Sequence, residues 1–318
     1  MTEASQKIRI AVDAMGGDYA PGDIIEGAVI AAGSDDVEIA LVGLPDVVAA
    51  ELAKYDTAGL PIRCVAAEDV VTERENPALG VRRKPNASIN VAARMVKEGQ
   101  ANGMISAGPT GAIATSAISN IGMIAGVERP IIGGAIFNDL PDTVVFDCGV
   151  NMDCRPYHLL TFAAIGTVCC RKLLGIPEPT VGLINIGAEP SKGNRLTHET
   201  YPLLESSTLN FIGNIEGHQI MSGRANVLVC DAFVGNVLFK FLESINLFTD
   251  LPGTRASQSG GGLILGIDGI VRKMHGASRT PHIAETVCQV KDLVKNDFIG
   301  ALKAELHEVL QNLDNNSV

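Results

Sequence analysis

Short apolar segments alternate with longer segments of helical spacing along almost the whole chain, and polar or glycine-rich turns separate them. Residues 8–12 predict a strand that ends at Asp13, and residues 24–32 predict a helix for which Asp23 is the expected N-cap. Residues 37–42 predict the next strand. Repeated strand–turn–helix units build a parallel sheet with helices on both faces, because each helix returns the chain to the start of the next strand. The chain is therefore predicted to be an α/β protein.

The same alternation continues to the end of the chain. Further predicted strands span residues 62–65, 103–106, 131–137, 143–147, 180–186 and 225–230. Further predicted helices span residues 46–55, 86–99, 110–124, 157–174, 234–247 and 282–312. A cluster of Pro, Ser, Thr, Gln and Gly at residues 249–262 predicts a mobile loop rather than a linker. We expect one continuous domain over residues 1–318, with a two-lobed arrangement as the alternative.

The charge balance restricts the partners of the protein. The 318 residues include 25 Lys and Arg against 36 Asp and Glu, which gives a formal net charge of −11. Such a balance argues against general binding to nucleic acid or anionic membranes, and it leaves a local basic patch open. Aromatic residues make up 4% of the chain and Trp is absent, which disfavours recognition of single strands by stacking. We expect no nucleic-acid partner.

The sequence shows no pattern for export or for membrane insertion. Residues 1–6 lack the basic and apolar regions of a signal peptide. No window holds the roughly 18 uninterrupted apolar residues of a spanning helix. The seven cysteines are scattered and form no CxxC pair, which disfavours a zinc ribbon and a secreted disulfide framework. These features predict a cytoplasmic protein with reduced, buried cysteines.

Ligands of parallel sheets bind beyond the carboxyl ends of the strands, so the turns after the predicted strands are candidate sites. The first turn contains Gly16 and Gly17, which let backbone N–H groups approach an anion. A simple strand-to-helix turn is the alternative there. The turn at residues 106–112 leads into a helix near Thr110. The N–H groups of its first helical turn, with the Thr110 or Ser106 hydroxyl, are candidate phosphate donors, and simple N-capping is the alternative.

Three later turns carry polar side chains. Residues 147–151 supply a carboxylate and an amide but no nucleophile, which is a weak signal. Lys192, within residues 185–194, is a positive charge among small residues and suits stabilisation of a phosphate or an oxyanion. Asn236 stands at the start of an apolar helix, and its amide suits the same task. The alternatives are a solvated loop lysine and a helix-capping asparagine.

Histidines and basic residues give fewer signals. His275 lies between cations and a Gly-Ala-Ser turn, and a surface histidine is the alternative. The histidines lack metal-ligand spacing and no GxSxG motif is present, so neither a metal site nor a serine nucleophile is predicted.

Arg82, Arg83 and Lys84 form a dense basic run that is predicted to open the helix at 86–99. This run is either a solvated face or a docking site for an acidic partner.

Eight stretches of the chain form an ordered set of motifs. They are VDAMGGDYAP at 12–21, RRK at 82–84, SAGPTGA at 106–112, DCGVNMDCRP at 147–156, TVGLINIGAEPSKGN at 180–194, NFIGNIEG at 210–217, VCDAFVGNVLFK at 229–240 and LGIDGIVRKMHG at 265–276. Each motif alone has modest specificity, and the whole set in order is highly specific. Taken together, the motifs resemble those of the bacterial phosphate acyltransferase family of phospholipid synthesis, which converts fatty acyl-[acyl-carrier protein] and inorganic phosphate into acyl phosphate.

The resemblance implies a fold like those of phosphate acetyltransferases and isopropylmalate-type dehydrogenases, a homodimer, and a site in a cleft. It implies neither a cofactor nor a metal. Lys192 and Asn236 are the implied catalytic residues, acting electrostatically on phosphate and oxyanion. The implied substrate-binding residues are Gly16, Gly17, Thr110, Gly111, Asn194 and His275. The implied docking surface for the acidic carrier protein is Arg82, Arg83 and Lys84, or alternatively Arg272 and Lys273.

The chain departs from the family at single positions and in one segment. Pro109 stands where Asn is usual, Ala188 where Glu is expected, and Ala232 where Gly is expected. The stretch between Asn236 and Gly261 is shorter than the membrane-touching region of the family. A dimer interface is its expected use, with at most weak peripheral contact to the inner face of the membrane. The apolar residues available there are Phe241, Leu242, Ile245, Leu247 and Phe248.

Other functions stay open at this point. A phosphotransacylase that uses acyl-coenzyme A would share the fold and the phosphate chemistry. A non-catalytic module that binds a carrier protein or a lipid would tolerate the substitutions at 109, 188 and 232. A decarboxylating dehydrogenase is disfavoured, since it needs a dinucleotide site, an Asp cluster for a divalent metal and a Tyr–Lys pair, and no such set is evident.

Overall fold

The computed structural model describes residues 7–33, 36–135, 142–248 and 261–316, apart from the side chains at 134, 135, 243, 245–248 and 313–316. The chain divides into two compact units, each built from two stretches of sequence. The first unit comprises Met1–Gly122 and Ser259–Asp297, and the second comprises Met123–Gln258 and Phe298–Val318. The expected single domain stays a prediction.

Strands and helices alternate along the chain, as the apolar pattern predicts. The strands are β1 (Ile8–Asp13), β2 (Val37–Gly43), β3 (Ile62–Ala66), β4 (Gly103–Ser106), β5 (Ile131–Ala135), β6 (Val144–Phe146), β7 (Val181–Asn185), β8 (Phe211–Glu216), β9 (Val227–Val229), β10 (Gly261–Leu265) and β11 (Ile270–Met274). The α-helices are α1 (Gly22–Ala32), α2 (Pro45–Leu52), α3 (Pro77–Arg83), α4 (Ser88–Lys97), α5 (Thr110–Asn120), α6 (Pro156–Cys169), α7 (Arg195–Glu205), α8 (Ala232–Phe248), α9 (Thr280–Lys295) and α10 (Phe298–Asn316). A π-helical turn (Cys170–Leu174) follows α6, and a 3-10 helix (Gly217–Ser222) follows β8.

The sheet of the first unit has the strand order β3-β2-β1-β4-β11-β10. Its strands run parallel except for β10, which pairs antiparallel with β11. Val12 of β1 lies opposite Ile105 of β4, and Lys273 of β11 lies opposite Ser106. This register places the carboxyl ends of β1, β4 and β11 side by side, where parallel sheets bind their ligands.

Helices cover this sheet because its strands are apolar on both faces. Ile10 and Val12 of β1 are fully buried, as are residues 39–42 of β2. Helix α9 packs against β1, β4 and β11 and against helix α1, while α4 packs against β1, β2 and β4. The buried stripe of α4 contains Ile89, Ala92 and Ala93, which are spaced as one face of an amphipathic helix.

The sheet of the second unit has the strand order β5-β6-β9-β7-β8. Strands β6, β9, β7 and β8 are parallel, and β5 is antiparallel to β6. Helix α6 lies at the centre, with every residue from His158 to Cys169 buried. A helix that is apolar all round is stable only when it is enclosed, and α6 is in contact with β6, β9, α7 and α10.

Some elements were not predicted, and some boundaries differ. The elements absent from the sequence-based assignment are α3, α7, β8, β10 and β11. Helix α3 is short and α7 contains a proline, so neither presents a long apolar period. The helix predicted at 282–312 is two helices, because the chain turns at Asp297, which has a left-handed φ of 48°. Pro21, not Asp23, is the N-cap of α1.

Two predictions concern the stretch between α8 and β10. The expected mobile loop at 249–262 falls outside the described residues except for its last two, which open β10. In the expected apolar face of α8, Phe241 is exposed, whereas Leu242 packs partly against the core of the second unit. The side chains at 245, 247 and 248 lie outside the described residues.

Among the helices that are described, none has the length and apolar character needed to span a bilayer.

Helix α1 carries Gly27 at the point where α9 approaches it. A Cβ on Gly27 would lie 2.6 Å from the Cβ of Ile283 and 2.8 Å from the carbonyl oxygen of Thr280. Glycine inside a helix costs about 1 kcal/mol relative to alanine. The close approach of α9 accounts for its presence here.

We expect Gly27→Ala to lower the free energy of unfolding by about 1–3 kcal/mol, because overpacking outweighs the gain in helix propensity. Gly22→Ala, at the start of the same helix, is the matched control, since the nearest atom to its Cβ would be Glu51 Oε1 at 3.8 Å. The control should leave stability unchanged or raise it slightly. Urea unfolding followed by circular dichroism measures both, and equal midpoints for the two variants would contradict the expectation.

Candidate functional site

The candidate residues of the first unit lie in three turns at one edge of its sheet. The turns follow β1, β4 and β11, which are parallel neighbours. The Asp18 N–H donates to the carbonyl of Gly276 at 2.8 Å, which joins the first turn to the third. The Ser106 hydroxyl donates to the carboxylate of Asp13 at 2.6 Å, which joins the first turn to the second. The structure thus brings together turns that are far apart in the sequence.

Gly16 and Gly17 are required by the closeness of these turns. A Cβ on Gly16 would lie 2.7 Å from the backbone nitrogen of Gly108. Gly17 has a φ of 106°, which disfavours any other residue, and a Cβ there would lie 2.9 Å from the Cβ of Ala107. Within the described part of the chain, the N–H groups of Gly16 and Gly17 have no acceptor. Free N–H groups in a glycine turn suit an anion.

Helix α5 begins at Thr110, as the sequence predicts. Its N-cap is Pro109, which makes no side-chain cap, so simple capping by a hydroxyl does not account for this turn. The Pro109 carbonyl accepts the N–H groups of Ala112 and Ile113 at 2.9 and 3.0 Å. The N–H groups of Thr110 and Gly111 have no acceptor among the described residues. They are therefore available to an anion at the helix N-terminus.

Ser106 does not serve as the direct phosphate donor that the sequence suggests. Its hydroxyl is directed to the Asp13 carboxylate, and both side chains are buried. Burial raises the pKa of Asp13, and hydrogen bonds from Ser106 and Ser88 partly offset that rise. The hydroxyl of Thr110 is half-exposed, and its role as a donor stays a prediction.

His275 follows strand β11 and is exposed. Its carbonyl accepts the N–H of Ser278 at 3.0 Å, which closes the turn. Gly276 lies against Asp18, since a Cβ on that glycine would be 3.2 Å from the Asp18 carboxylate oxygens. His275 therefore belongs to the cluster of turns through the backbone, and its contact with a substrate stays a prediction.

In the second unit, the turn after β6 is folded around Asp147. This fully buried carboxylate accepts the N–H groups of Gly149, Val150 and Asn151 at 3.0, 3.2 and 2.9 Å. The amide of Asn151 adds a fourth hydrogen bond at 2.6 Å. Burial raises the pKa of Asp147, and these donors act against that rise. The residues of this turn are explained by its own folding.

Lys192 lies in a turn that is held from two sides. The amide of Asn185, at the end of β7, donates to the carbonyl of Lys192 at 2.9 Å. The amide of Asn214, in β8, donates to the carbonyl of Glu189 at 2.8 Å. The stem of Lys192 crosses Gly187, where a Cβ would lie 2.7 Å from its Cγ. The lysine is exposed and has no ion pair among the described residues, and the Glu189 carboxylate lies beside Gly187 in the same turn.

Asn194 has a structural role that the sequence did not reveal. It is the N-cap of α7, and its side-chain oxygen accepts the N–H of Thr197 at 3.0 Å. Gly193 before it has a φ of 105°, and Thr197 and Asn185 leave no room for a side chain there. Substrate binding by Asn194 stays a prediction.

Asn236 lies in the first turns of α8 and contacts the turn after β6. Its amide donates to the carbonyl of Cys148 at 3.2 Å and is half-buried. The alternative of a capping asparagine is wrong, because Asp231 caps the helix by accepting the N–H of Val234 at 2.9 Å. Gly235 allows α8 to approach the carbonyl of Asp147 closely. The second amide hydrogen of Asn236 has no acceptor among the described residues, so it is available to a ligand.

A cavity of about 830 Å³ lies in the second unit beside these turns. Its apolar lining comes from Leu159, Ile184, Ile186, Leu196, Ile220, Phe233, Val234, Val237, Leu238 and Phe241. Polar groups come from Asn185, Asn194, Thr197 and Asp231. Lys192 and Asn236 do not line it, but their neighbours Gly193 and Val237 do. The volume falls within the range of small-molecule pockets, about 300–1,000 Å³, and the lining suits an apolar group.

The basic run at 82–84 ends a helix instead of opening one. Arg82 and Arg83 are the last residues of α3 and are exposed. Lys84 is not free, because its ammonium bonds the carbonyl of Val70 at 2.8 Å and the Glu75 carboxylate at 3.0 Å. The predicted three-residue patch is therefore reduced to two arginines.

Helix α3 lies beside the start of α5. A Cβ on Gly111 would lie 2.9 Å from the Cγ of Pro77, the first residue of α3. Gly111 is thus explained by packing, and the two arginines belong to the helix that borders the turn at Thr110. The alternative basic pair is less accessible: Arg272 and Lys273 lie in β11, both half-buried.

Cysteines and histidines do not assemble into a metal site. Among the residues that the structure describes, no three His, Cys, Asp or Glu side chains are arranged to hold an ion. The cysteines are free thiols, and burial raises the pKa of Cys148 to about 12.

Sequence reasoning missed the residues that hold the turns in place. Asn185 and Asn214 fix the Lys192 turn, and Asp231 fixes α8. Asn185 and Asp231 could have been found from the sequence, because each is a polar residue at the end of a predicted buried strand. Asn214 lies inside a strand that was not predicted. The site in a cleft that the resemblance implies stays a prediction: residues 16 and 110 belong to the first unit, and residues 192 and 236 belong to the second.

Comparisons with known proteins agree with the sequence motifs. The family model described as fatty acid synthesis protein matches residues 8–250. The phosphate acyltransferase of Trichodesmium erythraeum is 41% identical, over 93% of this chain and 96% of that protein. The phosphate acyltransferase of Pelotomaculum thermopropionicum is 37% identical, over 95% and 96%. A phosphotransacetylase structure from Streptococcus pyogenes has a TM-score of 0.62 at 17% identity, covering 94% of each chain, which confirms the predicted fold. The chain belongs to the phosphate acyltransferase family of enzymes.

Proposed function

We propose that the protein transfers a fatty acyl group from acyl-[acyl-carrier protein] to inorganic phosphate, and that the acyl phosphate feeds phospholipid synthesis. The observation that carries this proposal is the match to phosphate acyltransferases at up to 41% identity over nearly the whole chain. Membership of an enzyme family disfavours the alternative of a non-catalytic module that binds a carrier protein or a lipid. We propose a cytoplasmic homodimer as the working form.

In the proposed reaction, a phosphate oxygen attacks the thioester carbonyl carbon. A C–O bond forms, the C–S bond breaks, and the thiolate of the carrier leaves and takes up the proton that the phosphate gives up. The free N–H groups of Gly16, Gly17, Thr110 and Gly111 suit the oxygens of the phosphate dianion. His275 of the first unit and Asn194 of the second unit are also assigned to substrate binding. Holding the two reactants in place supplies a large part of the rate.

Lys192 and Asn236 are assigned to stabilise negative charge as the carbonyl becomes tetrahedral. Among the described residues, the ammonium of Lys192 has no ion pair and the second amide hydrogen of Asn236 has no acceptor. Donors that are already oriented stabilise an oxyanion without reorganising. Neither side chain needs to form a covalent intermediate in this scheme.

Arg82 and Arg83 support a carrier protein as the thiol donor. Carrier proteins of this kind are acidic, and exposed arginines at one helix end attract acidic partners even when the net charge of the protein is negative. Helix α3 borders the turn at Thr110 through Pro77, so a carrier bound there would be near the substrate-binding turns. Lys84 is left out of the surface because it is paired with Glu75.

The apolar cavity of the second unit supports a fatty acyl chain as the transferred group. It adjoins the Lys192 turn through Gly193 and Asn194 and runs along α8 to Phe241. Burial of methylene groups is favourable by about 0.8 kcal/mol each. A long acyl chain therefore gains more from such a cavity than a short one.

Lys192→Ala should lower kcat for phosphate-dependent thiol release from palmitoyl-carrier protein by about 10²-fold or more, because an oriented charge at the oxyanion is lost. Lys172→Ala is the matched control, since Lys172 is an exposed lysine of the same unit outside the proposed machinery. The assay follows free thiol with and without phosphate. Equal rates for Lys192→Ala and the wild type would remove Lys192 from its role.

The double variant Arg82→Glu/Arg83→Glu should raise KM for the carrier-protein substrate about tenfold at low salt, through loss of electrostatic attraction. The effect should shrink as salt is added, because screening shortens the reach of charges. Lys7→Glu/Lys97→Glu makes the same change in net charge elsewhere on the first unit and should leave KM nearly unchanged. A KM that stays at the wild-type value in the arginine variant would exclude this surface.

Val237→Trp should shift the preference of the enzyme toward short acyl chains, because the added ring fills part of the cavity. The ratio of kcat/KM for palmitoyl- over butyryl-carrier protein should fall by about tenfold, equivalent to less than two buried methylene groups. Ile30→Trp, at a similarly exposed position of the first unit, is the control. An unchanged ratio would place the acyl chain elsewhere.

A phosphotransacylase that uses acyl-coenzyme A is the second candidate, because the fold is that of phosphotransacetylases. The two candidates differ in the thiol carrier alone. Comparison of kcat/KM for palmitoyl-carrier protein and palmitoyl-coenzyme A separates them. A higher value for the coenzyme A thioester would favour the second candidate.

A further inference from the structure

Asp13 and Ser106 form a buried polar pair at the edge of the first sheet. They are the last residues of β1 and β4 and are only 3% and 2% exposed. Because Val12 lies opposite Ile105, the next residues along the two parallel strands stand side by side. The Ser106 hydroxyl donates to Asp13 Oδ2 at 2.6 Å. Charged hydrogen bonds of this length are among the stronger ones in proteins.

The carboxyl group of Asp13 has no cationic partner among the described residues. Its partners are the hydroxyls of Ser106 and Ser88 and the N–H of Met15, which donates to Oδ1 at 3.2 Å. Burying a carboxyl group without a cation is costly, and an apolar pair of similar size would be tolerated at least as well by the fold. The stability of the fold alone therefore gives no reason for this pair.

The pair holds both glycine turns in place. Ser106 Oγ accepts the N–H of Gly108 at 3.1 Å, while Asp13 holds the N–H of Met15. Gly16 packs directly on the pair, since a Cβ there would lie 2.9 Å from both Asp13 Oδ2 and Ser106 Oγ. The positions of the free N–H groups of Gly16 and Gly17 therefore depend on these two side chains.

We propose that Asp13 and Ser106 are positioning residues that hold the N–H groups of the two turns in the arrangement that binds phosphate. This inference rests on the proposed function, which assigns phosphate to these turns. The pair acts through the backbone and does not touch the phosphate. Ser106 directs its hydrogen to Asp13, and a carboxylate in contact with the anion would repel it.

Ser106→Ala tests the inference most directly. It removes the acceptor of the Gly108 N–H and the donor to Asp13, so the affinity for inorganic phosphate should fall by about tenfold in a calorimetric titration. Ser116→Ala is the matched control: Ser116 is a buried serine of α5 whose hydroxyl bonds the carbonyl of Ile89 at 3.2 Å, away from the turns. The control should bind phosphate as the wild type does.

Asp13→Asn provides a second variant of nearly equal volume. Steady-state kinetics should show a raised KM for phosphate and an unchanged KM for acyl-carrier protein, with a melting temperature close to that of Ser116→Ala. A merely structural role would raise both constants together or lower the melting temperature alone. Either of those results, or unchanged phosphate affinity in both variants, would overturn the inference.

The same experiments separate this inference from the proposed function. Phosphate binding that weakens in the variants supports the positioning role even if the wild type releases no thiol from acyl-carrier protein, which would refute the proposed function alone. A wild-type protein that does not bind inorganic phosphate at all would overturn the positioning role.

Discussion

The register of the parallel strands β1 and β4 is the constraint on which the first unit depends. From Ile10 onward β1 is buried on both faces, as is all of β4, so the apolar side chains distinguish poorly between one register and the next. The hydrogen bond between Asp13 and Ser106 does distinguish them, because a shift by one residue would take the Ser106 donor away from a buried carboxyl group. The polar pair thus disfavours the wrong registers and, in the correct one, sets the glycine turns beside each other.

The second unit holds its turns by a different means. Asparagine amides donate to backbone carbonyls around Lys192, and Asp147 gathers the N–H groups of its own turn. These bonds fix the backbone and leave the long lysine side chain exposed, whereas in the first unit the free groups are N–H donors of the backbone itself. An ammonium supplies a full positive charge for the negative charge that develops on a substrate, while rigid N–H groups suit an anion of constant shape such as phosphate.

The strand ends were predictable because apolar runs are local, and so were the turns that carry Gly16, Thr110, Lys192 and Asn236. Partners across the fold were not predictable from a single sequence. Ser106 and Asp13 are 93 residues apart, and nothing near Ser106 indicates that its hydroxyl is already engaged. Helix α3 was not predictable either, because it is too short to show a helical period of apolar residues. The role of Asn214 was not predictable, because its amide reaches the Glu189 carbonyl only when β8 pairs with β7. Local sequence patterns therefore predict where a turn lies, whereas long-range contacts determine which of its hydrogen-bonding groups remain available to a ligand.

Lys84 and Lys192 show how long-range contacts determine which charged side chains are available to a partner. Each lysine lies near a glutamate in the sequence, and the sequence alone allows either one to carry a functional charge. Glu75 neutralises Lys84 at 3.0 Å, while Lys192 has no ion pair among the described residues. Charges on a protein surface act over about 8–10 Å at physiological salt, so a partner responds to such local imbalances more than to the net charge of −11. The proposed docking of an acidic carrier depends on Arg82 and Arg83, which are exposed and have no ion pair among the described residues, and not on the net charge of the protein.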